Sequence, residues 1–454
     1  MATVIEKIAL RVSDVSAFSP LAMARATDAI VDTLGCLLAG TNEEATQRVR
    51  SAFINEISQG AACDVVGGGR ASPSVAAMIN GVSAHSLDFD DNFHPARAHA
   101  SAVLVPALLS LATADAEISG RQLIQAYLAG LEAQAAVGFG VNPSHYNRGW
   151  HGTSTVGCIG TAAGVASLLG MDADGISRAM SLAASFAAGP KGQFGTLAKP
   201  LHAGMAARNA VEAALLARAG MSGRPDILEC PMGFRDLVGG DQSRGWDEMQ
   251  FDDSHIIETR GLVTKLHPCC ASTHRAIDIV RDLRDLHGFT ASDVVSVVTK
   301  VGRSAVDNLI YPDPQNAMEA RFSMQYCVAA ALVQPHLSLS DFTQATISRP
   351  EIRCHMPKIA MTPYSREEEM GAERLPHLAS VTLTDGRILS SQRIHARGAA
   401  EDPLSQVAKR QKFSDCVHWT KARLADDLYD TFSSLETVHS FNSIWEMRRL
   451  SLID

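Results

Sequence analysis

The sequence predicts a mainly α protein, a large all-helical domain joined to a smaller α+β one. Three observations carry that fold class. From the start to about residue 262, apolar residues recur at helical spacing in segments rich in Ala and Gly, as in GCIGTAAGVASLLG. Beyond it, DVVSVVTKV (293–301) alternates valine at period two, and LASVTLTDGRILSSQRIHA sets two strand-like runs around Asp385-Gly386, a hairpin signal. After Gly398 and Asp402-Pro403 the tail from about 404 to 450 returns to helical spacing. The domains so drawn are 1–262 plus 396–454, a discontinuous helical bundle, and 263–395, the α+β part.

The elements follow in order. Ser19 before Pro20 is an N-cap and first-turn signal, LAMARATDAIVDTLGCLLAG carries helical spacing, and Gly40 suits its stop. Further helices are expected near 72–84, 101–114, 119–138, 155–169, 174–188 and 201–219. Small residues let their backbones approach closely, which predicts a tightly packed bundle. In the second domain, helices near 271–287 and 319–333 accompany the strands. There is no internal repeat and no low-complexity tract.

Composition narrows the function. With 454 residues, 46% apolar and 20% charged, the chain can bury a large core. Even the apolar segment from Leu123 to Val141 is interrupted by Gln125, Glu132 and Gln134, so no membrane span is expected. The first residues lack the pattern of a signal peptide, and a cytoplasmic protein is the expectation. Nine cysteines without a CxxC pair predict reduced thiols rather than a disulfide framework or a four-thiolate zinc site. A net charge of −9 argues against a nucleic-acid surface but leaves a local anion pocket open.

One stretch stands out chemically. HSLDFDDNFHPARAH (85–99) holds three histidines, three aspartates and an arginine. Its carboxylates could cap helix ends, its His and Asp side chains could ligate a metal, or it could do acid/base work, since imidazole titrates near neutrality. No HExxH or EF-hand spacing supports the metal reading. Three later stretches favour a convergent anion site. HYNRGWHGTSTVG (145–157) places Arg148 and His151 ahead of a helix, whose N-terminal N–H groups favour anions. FGTLAKPLHAGMAARNA (194–210) places Lys199 and His202 at a helix start, and TKLHPCCASTHRAID (264–278) does the same with Lys265, His267 and His274. Adjacent Cys269 and Cys270 read as one buried and one pocket-lining thiol. A phosphate-binding loop, a dinucleotide fingerprint and a serine or cysteine nucleophile signature are absent.

These stretches, with HSLDFDDNFHPARAHASAVLVPALLSLA, EARFSMQYCVAAAL and GAAEDPLSQVAKRQKF, resemble the MmgE/PrpD family of 2-methylcitrate dehydratases, cis-aconitate decarboxylases and iminodisuccinate epimerase, in order along nearly the whole chain. The resemblance implies a homodimer, an α+β lid over a helical domain with the active site between them, and no metal or organic cofactor. It implies catalytic or substrate-binding roles for Asp88, His99, His151, Lys199 and Lys265. Asn92, Arg148, His202 and Cys270 are added as substrate-binding candidates. Asn92 and Cys270 depart from the decarboxylase branch, which usually has threonine and histidine there.

The shared chemistry is charge building up at a carbon next to a carboxylate. Lys199, Lys265 and Arg148 would stabilise that charge, while His99 and His151, with Asp88 as the orienting or proton-accepting carboxylate, would move protons. The resulting expectation is a cofactor-independent lyase acting on a small di- or tricarboxylate, with 2-methylcitrate-type dehydration leading. The alternatives are an imino- or amino-dicarboxylate epimerase, a cis-aconitate decarboxylase and a catalytically silent carboxylate-binding homologue.

Overall fold

A computed structural model describes residues 2–14, 18–57, 63–251, 254–259, 261–371, 375–420, 425–443 and 445. Helix makes up 58% of the chain and strand 9%, so the mainly α expectation holds. The chain divides into two compact units, one of residues 1–193, 197–262 and 406–454 and the other of 194–196 and 263–405.

In the first unit α1 spans Val4–Ser13, α2 Pro20–Ala39, α3 Glu44–Ala52, α4 Pro73–His85, α5 Ser101–Ala112, α6 Gly120–Val141, α7 Val156–Leu168, α8 Ala173–Ala184 and α9 Ala198–Arg218, with shorter helices between them unnumbered. Ser19 accepts a hydrogen bond from the Ala22 N–H and Pro20 takes the first helical position, which starts α2 as expected. At the other end Gly40 keeps a right-handed φ of −76°, so a left-handed turn is not what requires it. A Cβ there would sit 1.9 Å from the Ser83 carbonyl oxygen of α4.

The same device joins α4 to α9. A Cβ at Gly204 would lie 2.4 Å from the Met78 carbonyl oxygen, and one at Gly81 would lie 2.9 Å from the Gly204 Cα. The two helices therefore pack backbone to backbone, which brings His85 at the end of α4 toward the start of α9, where Lys199 sits. Around them a core of aliphatic side chains and alanines, with Tyr127 and Phe93 fully buried, fills the bundle.

The second unit combines α10 (Ala271–His287) and α11 (Met324–Val333) with a sheet of β1 (Val294–Val301), β2 (Ile359–Pro363), β3 (His377–Leu383) and β4 (Ile388–Arg393) in the order β2-β1-β3-β4. β1 pairs parallel with β2 (Val297 opposite Ile359) and antiparallel with β3 (Val297 opposite Val381), and the β3–β4 hairpin turns through Gly386 at φ 87°. His377, Ala379, Val381 and Leu383 of β3 face inward, where α10 packs. The helix expected over 319–333 is broken in two: Ser323 leaves the helical path and its side chain accepts the Tyr326 N–H, capping α11 afresh. β2 has no counterpart in the sequence reading, because KIAMTP lacks an alternating pattern.

The tail returns to the first unit as α12 (Gln406–Trp419), which packs on α2, and α13 (Ala425–Ser433). Residues 421–424, 444 and 446–450 of the expected tail helix lie outside the described residues. No helix among the described residues is long and apolar enough to cross a membrane.

Candidate active site

The HSLDFDDNFHPARAH stretch starts at the last residue of α4 and ends two residues before the first of α5. Asp88 takes a left-handed φ of 52°, which a short polar side chain tolerates best among non-glycine residues, and the chain turns back there. Further on, Phe93 and Ala98 exchange backbone hydrogen bonds of 2.8 and 3.2 Å, closing a tight loop. That loop returns His99 to the aspartates, and Thr153 fixes its backbone by accepting the His99 N–H at 2.9 Å.

Within this frame the side chains converge. His85 Nδ1 lies 2.9 Å from both carboxylate oxygens of Asp90. His99 Nδ1 lies 3.1 Å from Asp90 Oδ2 and 2.9 Å from the Asp91 carbonyl oxygen. Its Nε2 is 3.7 Å from Asp88 Oδ1, the oxygen to which Lys199 Nζ donates at 2.5 Å. The His85 and His99 rings stand 4.3 Å apart, and His151 stands 6.1 Å from the first and 6.4 Å from the second. His151 Nδ1 meets His202 Nδ1 at 3.0 Å, so one ring donates and the other accepts. Helix ends and loops from three separate segments thus deliver Asp88, His99, His151, Lys199 and His202 to one place.

Burial sets the protonation states. Asp88, Asp90, His85, His151 and Lys199 are all 2% exposed or less. Burial lowers the pKa of His85, and pushes His151 well below the usual histidine range, with the neighbouring Lys199 adding to the effect there. His202 falls to about 4, through burial first and then the His85 and Lys199 charges. Burial pushes the Asp90 carboxyl up, but His85 and His99 more than offset it by charge and hydrogen bonding and hold it well below the carboxylate range. Asp90 is thus held as the anion, with the His85 and His99 ring N–H groups directed at it. Asp91 behaves differently: burial raises it to about 7, against the opposing hydrogen bond from Ser101.

His85, Asp88, Asp90 and His99 each offer a ligand atom within 4.8 Å of the others, so this is the place in the described residues where an ion could sit. Those atoms are already engaged by the Lys199 ammonium and by imidazole N–H groups, and the set is organised around protons and a fixed cation.

The remaining candidates separate. Asn92 is half-buried beside the cluster, and among the described residues its amide nitrogen has no hydrogen-bond partner. Arg148 is exposed, with its guanidinium against Gly240, and is not gathered with the histidines. Lys265 and Cys270 belong to the second unit, Lys265 fully buried and Cys270 half-buried at the start of α10. Cys269 is buried. His267, also in that unit, donates from Nε2 to Asp278 Oδ1 at 3.1 Å, while the Arg397 N–H occupies Asp278 Oδ2 at 3.0 Å.

His85, Asp90 and Asp91 were in view in the sequence but not separable from Asp88 and His99, because only the turn at Asp88 decides which carboxylate meets which ring. Lys412 had no signal at all, being one of several basic residues on a helix. Its ammonium is buried and reaches Asp32 at 2.8 Å and the Phe89 carbonyl oxygen at 2.8 Å.

A mainly α protein whose loops gather buried imidazoles, carboxylates and an ammonium has the equipment of an acid/base catalyst for anions. The chain belongs to the MmgE/PrpD family: the MmgE/PrpD N-terminal domain matches residues 6–247 and the MmgE/PrpD C-terminal domain residues 267–427. It is similar to the cis-aconitate decarboxylase of Homo sapiens, 30% identical over 401 residues that cover 85% of this chain and 81% of the relative. The cis-aconitate decarboxylase of Mus musculus is 29% identical over 398 residues, with 85% and 80% covered, and that of Aspergillus terreus 26% identical over 353 residues, with 72% and 71% covered.

Proposed function

We propose that this protein is a cofactor-independent lyase acting on a small di- or tricarboxylate, in which imidazoles transfer a proton at the carbon next to a carboxylate. The observation that carries the reading is the buried juxtaposition of the Lys199–Asp88 ion pair with the Asp90-bound His99. A fixed ammonium in a dry site stabilises the extra negative charge of an enolate-like species more than it stabilises the substrate. His99 Nε2 lies on the Lys199 side of its ring and serves as base or acid there. The shielded amide of Asn92 is a donor waiting for an acceptor, and a substrate carboxylate would relieve the ~1–3 kcal/mol that such an orphan costs. The role that the resemblance gives to Lys265 is part of the proposal, and Lys265→Met tests it through kcat/KM.

Two bond cleavages fit this equipment. In decarboxylation the electrons of the breaking C–C bond pass through a conjugated double bond to the carbon beside a second carboxylate, which then takes a proton from imidazolium. The relatives' names favour this course. In dehydration of a 2-methylcitrate-type hydroxy acid, the base removes the α-proton and an acid protonates the departing hydroxyl. Asn92 and Cys270, which differ from the decarboxylase branch, favour this second course. A homodimer in the cytoplasm is part of the same proposal.

The test is proton NMR of the purified protein in heavy water with cis-aconitate, 2-methylcitrate, citrate and iminodisuccinate. The expected result is a new alkene with release of either CO2 or water, and His99→Ala should slow it by about 10²- to 10⁴-fold. Deuterium entering recovered or inverted substrate without an alkene would replace the lyase by an epimerase. Binding without exchange would leave a silent carboxylate-binding protein.

A further inference from the structure

The resemblance directs attention to Asp88 as the carboxylate that serves the histidines, yet Asp88 is bound to Lys199 and stands 3.7 Å from His99 Nε2. The carboxylate at hydrogen-bond distance from His99 is Asp90, and it is held in turn by His85. We propose that Asp90, gripped by His85, is the positioning residue that keeps the proton of neutral His99 on Nδ1 and turns its Nε2 lone pair toward Asp88 and Lys199. This deepens the proton-transfer reading of the same site and rests on it.

The geometry is specific. His99 Nδ1 faces two acceptors, Asp90 Oδ2 at 3.1 Å and the Asp91 carbonyl oxygen at 2.9 Å, and an acceptor pair fixes a donor between them. His85 completes the arrangement from the other side. Its Nδ1 spans both Asp90 oxygens at 2.9 Å, so the carboxylate cannot rotate away from His99 without losing that bond. Among the described residues His85 Nε2 has no hydrogen-bond partner, which makes Asp90 the ring's polar anchor. The groups that face His99 are Asp88, Asp90 and Asp91 from its own loop, His85 from α4, His151 from the segment before α7, and Lys199 from the start of α9, with His202 behind His151.

The chemical consequence concerns the proton taken up at Nε2. When His99 becomes imidazolium, its Nδ1–H already points at an anion, so the new charge is stabilised without reorganisation. The N–H from His85 weakens Asp90 as a base, which leaves the Nδ1 proton on His99 rather than passing it to the carboxylate. Asp90 therefore tunes His99 without touching the substrate.

The test combines tautomer and kinetics on the full-length protein. With [15N]histidine, the wild-type His99 resonance should be that of the Nδ1–H tautomer, and Asp90→Asn should shift it toward Nε2–H. With the substrate found above, Asp90→Asn should lower kcat by about 100-fold or more while KM changes by about threefold or less, as expected for a group that acts through another. His85→Ala should move the acid limb of kcat/KM to higher pH, because Asp90 becomes a stronger acceptor for imidazolium. His85→Asn, which can still donate from the Nδ1 position, should restore the wild-type limb. A wild-type Nε2–H tautomer at His99, or an Asp90→Asn protein with unchanged tautomer and profile, overturns the proposal. Should Asp90→Asn fail to fold, the wild-type tautomer and the two His85 variants decide. The tautomer is read without turnover, so a failure of the lyase reading and a failure of the Asp90 assignment are told apart.

Discussion

Two buried lysines grip the same acidic loop, and they do so in opposite ways. Lys412, from the C-terminal helix α12, is enclosed by fixed partners: both Asp32 oxygens, at 2.8 and 2.9 Å, the Phe89 carbonyl oxygen, and the Phe89 ring 4.2 Å away. Burial opposes its charge, yet Asp32 and the nearby thiols of Cys36 and Cys416 raise its pKa. Lys199, one residue earlier along the loop at Asp88, has imidazoles as neighbours, lowering the pKa of His85, His151 and His202 by its charge. A buried ion pair is weak evidence for stability or for function taken alone. What separates the two is the company they keep, imidazoles suited to moving protons around Lys199 and a carboxylate with thiols around Lys412.

Removing each cation is the largest test of that difference. Lys199→Met and Lys412→Met each leave a buried carboxylate without its partner, which costs about 3–5 kcal/mol in urea titrations. The activities should diverge. Lys199→Met is expected to lose about 10²-fold or more in kcat/KM, whereas folded Lys412→Met should stay within about tenfold of wild type. Equal losses in both would erase the distinction.

Gly204→Ala acts on the Lys199 side alone. The added Cβ meets the Met78 carbonyl 2.4 Å away and must force α4 and α9 apart, for about 1–3 kcal/mol. Because those helices carry His85 and Lys199, activity should fall further than that loss of stability explains at a temperature where the variant is folded. An Ala variant with unchanged kcat/KM would show that the spacing of α4 and α9 does not set the site.

The same two regions show how far the sequence could be read. The helical bundle was legible because its caps and apolar spacing are local: Ser19-Pro20 starts α2 and the Asp385-Gly386 turn joins β3 to β4, as expected. The loop's chemistry was legible as composition, and Asp88, His99, His151, Lys199 and His202 do converge. Their pairing was not, since it depends on a left-handed turn at Asp88 that no neighbouring residue announces. Lys412 was invisible because its partners, Asp32 and Phe89, are hundreds of positions away in the chain. The break at Ser323 was missed because its capping hydroxyl looks like any other serine in a helical pattern.

His145 sharpens the comparison as a histidine outside the cluster. Its Nε2 meets Thr155 Oγ1 at 2.8 Å, and burial, with the Arg97 charge, lowers its pKa to about 3. The unfolded chain, with a histidine pKa near 6.5, takes up the proton first as pH falls, so this group's stabilisation is present above that value and is lost below it. Between pH 7.5 and 5.5 the wild type should lose about 1.4 kcal/mol more than His145→Gln in urea titrations. The pH profile of kcat/KM should be the same in both. A shifted profile would place His145 among the reacting groups.

Asp91 lies between the two regions, and its pH effect is of opposite sign. Burial, opposed by the Ser101 hydrogen bond and reinforced by the charges of Asp90 on one side and Asp32 on the other, raises its pKa to about 7. The folded protein thus holds a proton that the unfolded chain releases near 3.8. The stabilisation from that proton is complete below the unfolded value and disappears as pH rises through about 7. Asparagine imitates the neutral acid, so Asp91→Asn should gain on the wild type by about 1.4 kcal/mol between pH 6 and pH 8, and the gain should level off above that range. Because part of the repulsion comes from Asp32, whose charge Lys412 offsets, Lys412→Met should raise the Asp91 pKa and move the window upward. If the window stays in place, the fixed and the titratable regions are electrostatically separate, and Lys412 supports the loop by geometry alone.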